Sequence, residues 1–193
     1  MTSAVLALLT ASFSQAHAEE PRARVARAPV PLDGVAAIVD DVFIFRSDVE
    51  ARAKHFLDKL SRDPVKRRGE RVELDKQILN RLIDEILVTK DATKLHITAT
   101  DAEVAAGIDS VAQGNKIDRK ALEKEVAKAG YSLVEYQEEI RRQVLEQKWL
   151  LLRTSGKVDR KLAADPATFA SLMEKQHEQL IAELRANSFL EIR

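Results

Sequence analysis

The chain has 193 residues, with 31 Lys+Arg against 31 Asp+Glu and a formal net charge of +0, a balance without the basic excess of a nucleic-acid binder. Cysteine is absent, which excludes disulfides, thiolate metal sites, iron–sulfur clusters, cysteine nucleophiles and a lipidated N-terminal cysteine. Six glycines and five prolines, with 45% hydrophobic and 32% charged residues, fit a mainly helical fold rather than a turn-rich β protein.

Residues 1–18, MTSAVLALLTASFSQAHA, contain no Lys, Arg, Asp or Glu. A short apolar run precedes Ala16-His17-Ala18, an A-x-A pattern ahead of Glu19 and Glu20. This reads as a signal peptide cleaved after Ala18, although no basic residue precedes the apolar run. The run is too short and too interrupted to span a bilayer. Residues 19–33 hold three prolines and three arginines and read as a flexible tether. A single domain is expected over 34–193.

That domain opens with VAAIVDDVFIF (35–45), where two apolar runs flank Asp40-Asp41 and predict a β-hairpin. Val42 stands just after the turn, where a tight hairpin usually has glycine. Ser47 and Glu50 match the S-x-x-E capping box and predict a helix over 48–61, with Val49, Ala53, Phe56, Leu57 and Leu60 on one side. Asp63-Pro64 and Gly69 interrupt the pattern. A long helix is predicted over 72–94. Its apolar positions, from Leu74, Ile78 and Leu79 to Ile86 and Leu87, make two adjacent stripes. A face that wide is packed on more than one side, so this is the expected central helix.

Thr100 and Glu103 predict a capped helix to about residue 113, closed by Gly114-Asn115. Asp118 caps the next one, which ends at Ala129-Gly130. Ser132 and Glu135 open a helix over 133–152. Leu133, Tyr136, Ile140, Val144 and Leu151 form one stripe of it, and Leu145, Trp149 and Leu152 a second. After the polar stretch 153–166, Asp165-Pro166 starts the last helix, to about residue 187. FLEIR (189–193) alternates as a strand and must pair with something. The N-terminal hairpin offers the only other strands, so the two ends of the domain are expected to meet. The fold class is mainly α, with a small β-sheet formed by the N-terminal hairpin and the C-terminal strand.

Motifs for chemistry are missing. His17, His55, His96 and His177 share no ligand spacing, and His177-Glu178 begins H-E-x-x-H but meets Ile181 at the second ligand position. There is no G-x-S-x-G, no glycine-rich phosphate loop and no G-x-G-x-x-G. The expectation is no catalytic residue, no metal, no cofactor and no use of ATP. Asp40-Asp41 reads as a turn, and Glu138-Glu139 as pairing with Arg142 and Gln143 one turn on. Trp149 and Met173 lie on apolar stripes, where core packing is the first reading. Arg141-Arg142 is too small a basic patch for nucleic acid.

The segment GVAAIVDDVFIFRSDVEARA (34–53) resembles the opening of the SurA-type N-terminal domain, a short strand pair followed by S-D-V on a helix. LDKQILNRLIDEILVTKDATKLHIT (74–98) is similar to its long second helix, running through Leu95-His96-Ile97-Thr98 into Thr100-Asp101-Ala102-Glu103. SLVEYQEEIRRQVLEQK (132–148) resembles its next motif, from Tyr131 and Tyr136 to Ile140-Arg141 and Val144, and LRANSFLEIR (184–193) its returning helix and strand. The likeness covers about 34–153 and 167–193. It implies a chaperone of the periplasm that binds unfolded outer-membrane polypeptides, without stable membrane insertion. Family members commonly carry parvulin-type prolyl isomerase domains before the returning helix. Here only a linker (154–166) stands between a 34–153 core and a 167–193 returning segment, too short for such a domain, so no isomerase activity is expected. Phe56, Tyr136 and Trp149 are the candidate client contacts. The rival expectation is a non-catalytic periplasmic scaffold for one folded partner. An apolar groove between the helices at 47–61, 72–94 and 133–152 would favour the chaperone, and a closed core the scaffold. Oligomeric state is left open.

Overall fold

The computed structural model describes residues 33–155 and 165–193. The expected signal peptide, the tether up to residue 32 and most of the 154–166 linker lie outside the described residues. Strands β1 (Val35–Val39) and β2 (Val42–Phe45) form the expected antiparallel hairpin. Its turn works without glycine because Asp40 takes the left-handed conformation, φ 54, which a short polar side chain tolerates. The Asp40 carboxylate accepts the Phe189 N–H at 2.8 Å and pairs with Lys90 at 2.9 Å. The turn is thus held by groups remote in sequence.

Strand β3 (Leu190–Ile192) pairs antiparallel with β1, Val39 opposite Leu190 and Ala37 opposite Ile192, giving the order β2-β1-β3. The closure of the domain by its two ends is borne out. Ala37, Val39 and Ile44 face the helices and are buried, and Leu190 packs partly against the same core. Ile192, on that same side, stays 56% exposed.

The first helix departs from expectation. Helix α1 (Arg46–Ala53) is followed by a 3₁₀ segment (Lys54–Lys59), so the predicted 48–61 helix is divided and starts earlier. Ser47 does not cap it. Its hydroxyl and its N–H, the latter at 3.2 Å, are bound by the Asp33 carboxylate. The Asp48 carboxylate accepts the Phe45 N–H at 2.8 Å instead. Helix α2 (Pro64–Lys94) also begins ahead of residue 72. The Asp63 carboxylate accepts the N–H groups of Val65 and Lys66 at 2.9 and 3.0 Å. Pro64 sits at the first helical position, where its missing N–H costs nothing. Gly69 faces open space, and its penalty of about 1 kcal/mol does not break so long a helix.

The remaining starts follow the sequence signals: α3 (Asp101–Gly114), α4 (Arg119–Lys128), α5 (Leu133–Thr154) and α6 (Pro166–Ala186). Thr100 with Glu103 and Ser132 with Glu135 close reciprocal capping boxes. Asp118 and Asp165 accept the N–H groups of Ala121 and Thr168 at 2.7 and 2.9 Å.

Three small cores result. In the first, the sheet and α1 pack on α2 through Ala37, Val39, Ile44, Val49, Ile83 and Leu87. In the second, α3, α4 and the first half of α5 meet through Val104, Ile108, Leu122, Val126 and Ile140. In the third, the end of α2, the second half of α5 and α6 enclose Trp149 with Val88, Ala92, Leu180 and Ile181. The wide apolar face of α2 serves the first and third, as its two stripes require.

Candidate functional site

Where α1, α2 and the start of α5 approach one another beside β2, apolar packing stops and a groove of about 700 Å³ opens. Phe43 of β2, Leu82 and Ile86 of α2, Tyr131 and Val134 supply its apolar wall. Val134 is 68% exposed and Phe43 53%, so the wall is open to solvent.

Charged contacts set the spacing of the helices there. The Arg52 guanidinium reaches Glu85 at 2.7 Å and Glu139 at 2.8 Å, bridging α1 to both α2 and α5. Glu85 also pairs with Arg81 at 3.1 Å and Arg142 at 3.5 Å, and Glu139 pairs with Arg142 at 2.7 Å. Partial burial disfavours the Glu139 carboxylate, but the Arg142 and Arg52 guanidiniums outweigh it and hold its pKa below the usual range. At the groove's end, Lys54 bonds Glu135 at 2.5 Å, and the rings of His55 and Tyr131 stack 3.6 Å apart at 11°. Burial, and then the charge of Lys54, pushes the His55 pKa down, favouring the neutral ring at pH 7. Burial raises that of Tyr131.

None of the three candidates chosen from sequence lines this groove. Trp149 is 0% exposed, donates its indole N–H to Asp91 at 2.7 Å and meets the His177 ring edge-on at 6.1 Å. It has no exposed surface; an aromatic on an apolar stripe has packed here as core. Tyr136 is half-buried on the α3–α4–α5 core and borders a minor crevice with Leu122 and Leu133. Phe56 is half-buried against the first core. Of the groove residues that sequence reasoning missed, Leu82 and Ile86 lie on the α2 stripes, and Tyr131, Val134 and Phe43 lie off any stripe. Tyr131 sits in the α4–α5 turn, Val134 beside a capping box, and Phe43 on the outward side of a strand. An apolar residue standing outside its element's stripe was the available signal.

Among the described residues, no cluster of three or more His, Asp or Glu could hold a metal, and no helix is long and apolar enough to cross a membrane.

The class so defined is a mainly helical module whose two ends share one sheet beside an open, largely apolar groove. The SurA N-terminal domain family matches residues 32–149, more than half of the chain, and the chain belongs to that family. It is 32% identical over 158 residues to Chaperone SurA of Bordetella pertussis, covering 73% of this chain and 29% of the relative. To Chaperone SurA of Vibrio vulnificus it is 29% identical over 155 residues, covering 77% and 34%. To that of Legionella pneumophila it is 30% identical over 145 residues, covering 66% and 34%. The chain spans about a third of the length of these curated relatives. Every residue lining the groove falls within the family match.

Proposed function

We propose that this chain is an ATP-independent chaperone of the periplasm that holds unfolded outer-membrane polypeptides in the groove between α1, α2 and α5, without prolyl isomerase activity. The observation that carries the reading is the groove itself. It lies between the three helices where a closed core would have argued for a scaffold, and its open apolar wall suits an extended apolar segment. The relatives' name, chaperone, supports the same reading. The periplasmic location rests on the A-x-A step before Glu19.

The test is aggregation of a urea-denatured outer-membrane β-barrel diluted into buffer without ATP. The parent protein should keep the client in solution at near-stoichiometric amounts. Thr89→Glu/Val134→Glu places two charges on exposed positions of the groove wall. About tenfold more of that variant should be needed, since desolvating an unpaired charge against an apolar client costs about 1–3 kcal/mol. In a peptidyl-prolyl assay the chain should leave the uncatalysed rate unchanged. No delay of aggregation by the parent protein, with recovery of one folded partner from a periplasmic extract, would make it a scaffold.

A further inference from the structure

Helix α2 runs out past the body it packs on. Its first apolar side chain against a core is Leu74, and every residue from 62 to 70 is exposed. The opening ten residues therefore make an arm about 15 Å long. Two contacts brace its inner side: Glu70 accepts the Ser61 N–H at 2.6 Å, and Arg67 donates to the Leu57 carbonyl at 3.3 Å. The outer side carries Val65, Arg68, Gly69, Val72 and Lys76, spaced i, i+3, i+4, i+7 and i+11 along one stripe. Val65 is 84% exposed and Val72 65%. Leu79 and Ile86 follow at the same seven-residue step and pack on the first core, so the valines continue a covered stripe beyond its cover. Seven cations and five carboxylates stand between residues 58 and 76. Four of the carboxylates are engaged within the arm. Asp63 caps the helix, Glu70 holds Ser61, Asp75 pairs with Arg71 at 2.7 Å and Glu73 accepts from the Gln77 amide at 3.3 Å. The fifth, Asp58, belongs to the 3₁₀ segment rather than the stripe. Among the described residues, Arg62, Lys66, Arg68 and Lys76 make no ion pair.

Whatever covers this stripe has to bring negative charge. A second copy would set Arg68 and Lys76 beside the same two cations, with no carboxylate on the stripe to match them. The leading segment 19–32 has three arginines against two glutamates. At 3.6 residues per turn, Lys66 lies about 100° round the arm from Val65, and Arg68 about 60° the other way. A partner helix would touch one stripe, whereas a flat anionic surface meets cations spread this widely. Long cationic side chains reach such a surface from the flanks while the valines enter it. We infer that the arm is a membrane-docking element: the Val65–Val72 stripe lies on an anionic phospholipid surface, with Arg62, Lys66, Arg68 and Lys76 on its phosphates. This is adsorption in the plane of the headgroups, not a span, and it does not rest on the groove reading. A cluster of four or more Lys/Arg beside an apolar stripe gives reversible, salt-sensitive binding of this kind.

The test is flotation of the protein with vesicles of phosphatidylcholine, alone or mixed with phosphatidylglycerol. The parent should bind the mixed vesicles only. Raising the salt from about 0.01 M to 1 M, which shortens the screening length from about 30 Å to 3 Å, should release it. Arg68→Gln/Lys76→Gln should bind about thirtyfold more weakly. Lys120→Gln/Lys124→Gln removes the same charge from exposed positions of α4 and should bind like the parent. Val65→Trp adds an indole near the tip of the arm. Its emission should move to the blue on mixed vesicles, while that of the enclosed Trp149 in the parent stays fixed. Urea midpoints close to the parent's establish that the variants fold. No binding of the parent to mixed vesicles would overturn the inference. So would equal losses in the two Gln variants, or a Val65→Trp spectrum unmoved by vesicles that bind the protein. Capture of the parent by poly-glutamate but not by vesicles would assign the arm to an acidic polypeptide. A parent dimer dispersed by Val65→Ser/Val72→Ser would assign the stripe to a second copy. Either result overturns the inference.

Discussion

The core under the sheet and the core of α3, α4 and α5 differ in what closes them. The first joins residues from opposite ends of the chain: Val39 lies beside Leu190, and Arg185 of α6 donates to Asp84 of α2 at 2.7 Å. The second is local, built from three successive helices. Where the two regions face each other the contacts change character, to Arg52 with Glu139, Lys54 with Glu135 and the His55–Tyr131 stack. Apolar side chains pack until no gap remains. Long paired side chains hold helix axes apart and leave space beside them. The groove is the consequence of exchanging one kind of contact for the other.

The largest way to break this arrangement is at the third core, which ties α2 to α5. Trp149→Ala should cost about 3–5 kcal/mol, because the ring is wholly enclosed and the Asp91 carboxylate loses its indole donor. Urea unfolding followed by far-ultraviolet circular dichroism measures it. A cost below about 1 kcal/mol would mean that the two regions are joined elsewhere.

Next comes the closure of the sheet. Deleting 189–193 removes the half-buried Leu190, uncovers the β1 edge and releases the Asp40 turn from Phe189. A loss of about 2 kcal/mol follows from the area, lowering Tm by about 4–8 °C in a domain of this size. An unchanged melting temperature would show that the ends meet without stabilising the fold.

Much of this fold is legible in the sequence because helix caps are local signals. Thr100 with Glu103, Asp118, Ser132 with Glu135, and Asp165 each act within one turn, and each starts a helix as read. Ser47 with Glu50 fails for a tertiary reason: Asp33, fourteen residues earlier, takes the Ser47 side chain. The start of α2 was hidden because Gly69 counts as a breaker only when its neighbours cannot carry the helix past it. The terminal strand was legible because an unpaired backbone has to find a partner. The groove was not. It depends on which stripes stop short of one another, and that is set by pairings such as Arg52–Glu139 between residues 87 positions apart.

Within the second region, close packing has a single-residue test. A methyl group on Gly107 would lie 2.9 Å from Cγ2 of Ile140 and 3.5 Å from that of Val144. Ile140 is 4% exposed and has little room to yield. Gly107→Ala gains about 1 kcal/mol of helix propensity against about 1–3 kcal/mol for overpacking. The expected sum is a destabilisation of about 1 kcal/mol. Gly69→Ala, with open space around it, should instead stabilise by about 0.5–1 kcal/mol. Opposite signs in paired denaturation curves confirm that α3 and α5 meet at Gly107; a stabilising Gly107→Ala would refute it.

The smallest effect isolates the polar seam. The Glu135 pKa is lowered from 4.5 to about 2, first by the Lys54 ammonium across the end of the groove, then by the Ser132 N–H and hydroxyl of its own helix start. As pH falls below 4.5, the unfolded chain takes up this proton before the folded one does. The contribution of Glu135 to stability is therefore complete above pH 4.5 and is lost between about pH 4.5 and 2. Glu103, also lowered to about 2 by Lys148 and then Thr100, adds to the same slope from within the second region and its flanking turn. Urea midpoints measured across that window should fall less steeply in Glu135→Gln than in the parent. Lys54→Met should remove only the part of the slope that crosses the seam, because the Ser132 cap remains. Adding 1 M salt, where screening acts within about 3 Å, should weaken the lysine's share in the parent and change Lys54→Met less. Both partners are exposed, so the shift should be smaller than that of Gly107→Ala. Equal acid slopes in the parent and Lys54→Met would mean that Glu135 serves its own helix alone, and that the two regions are held apart by the Arg52 bridge without it.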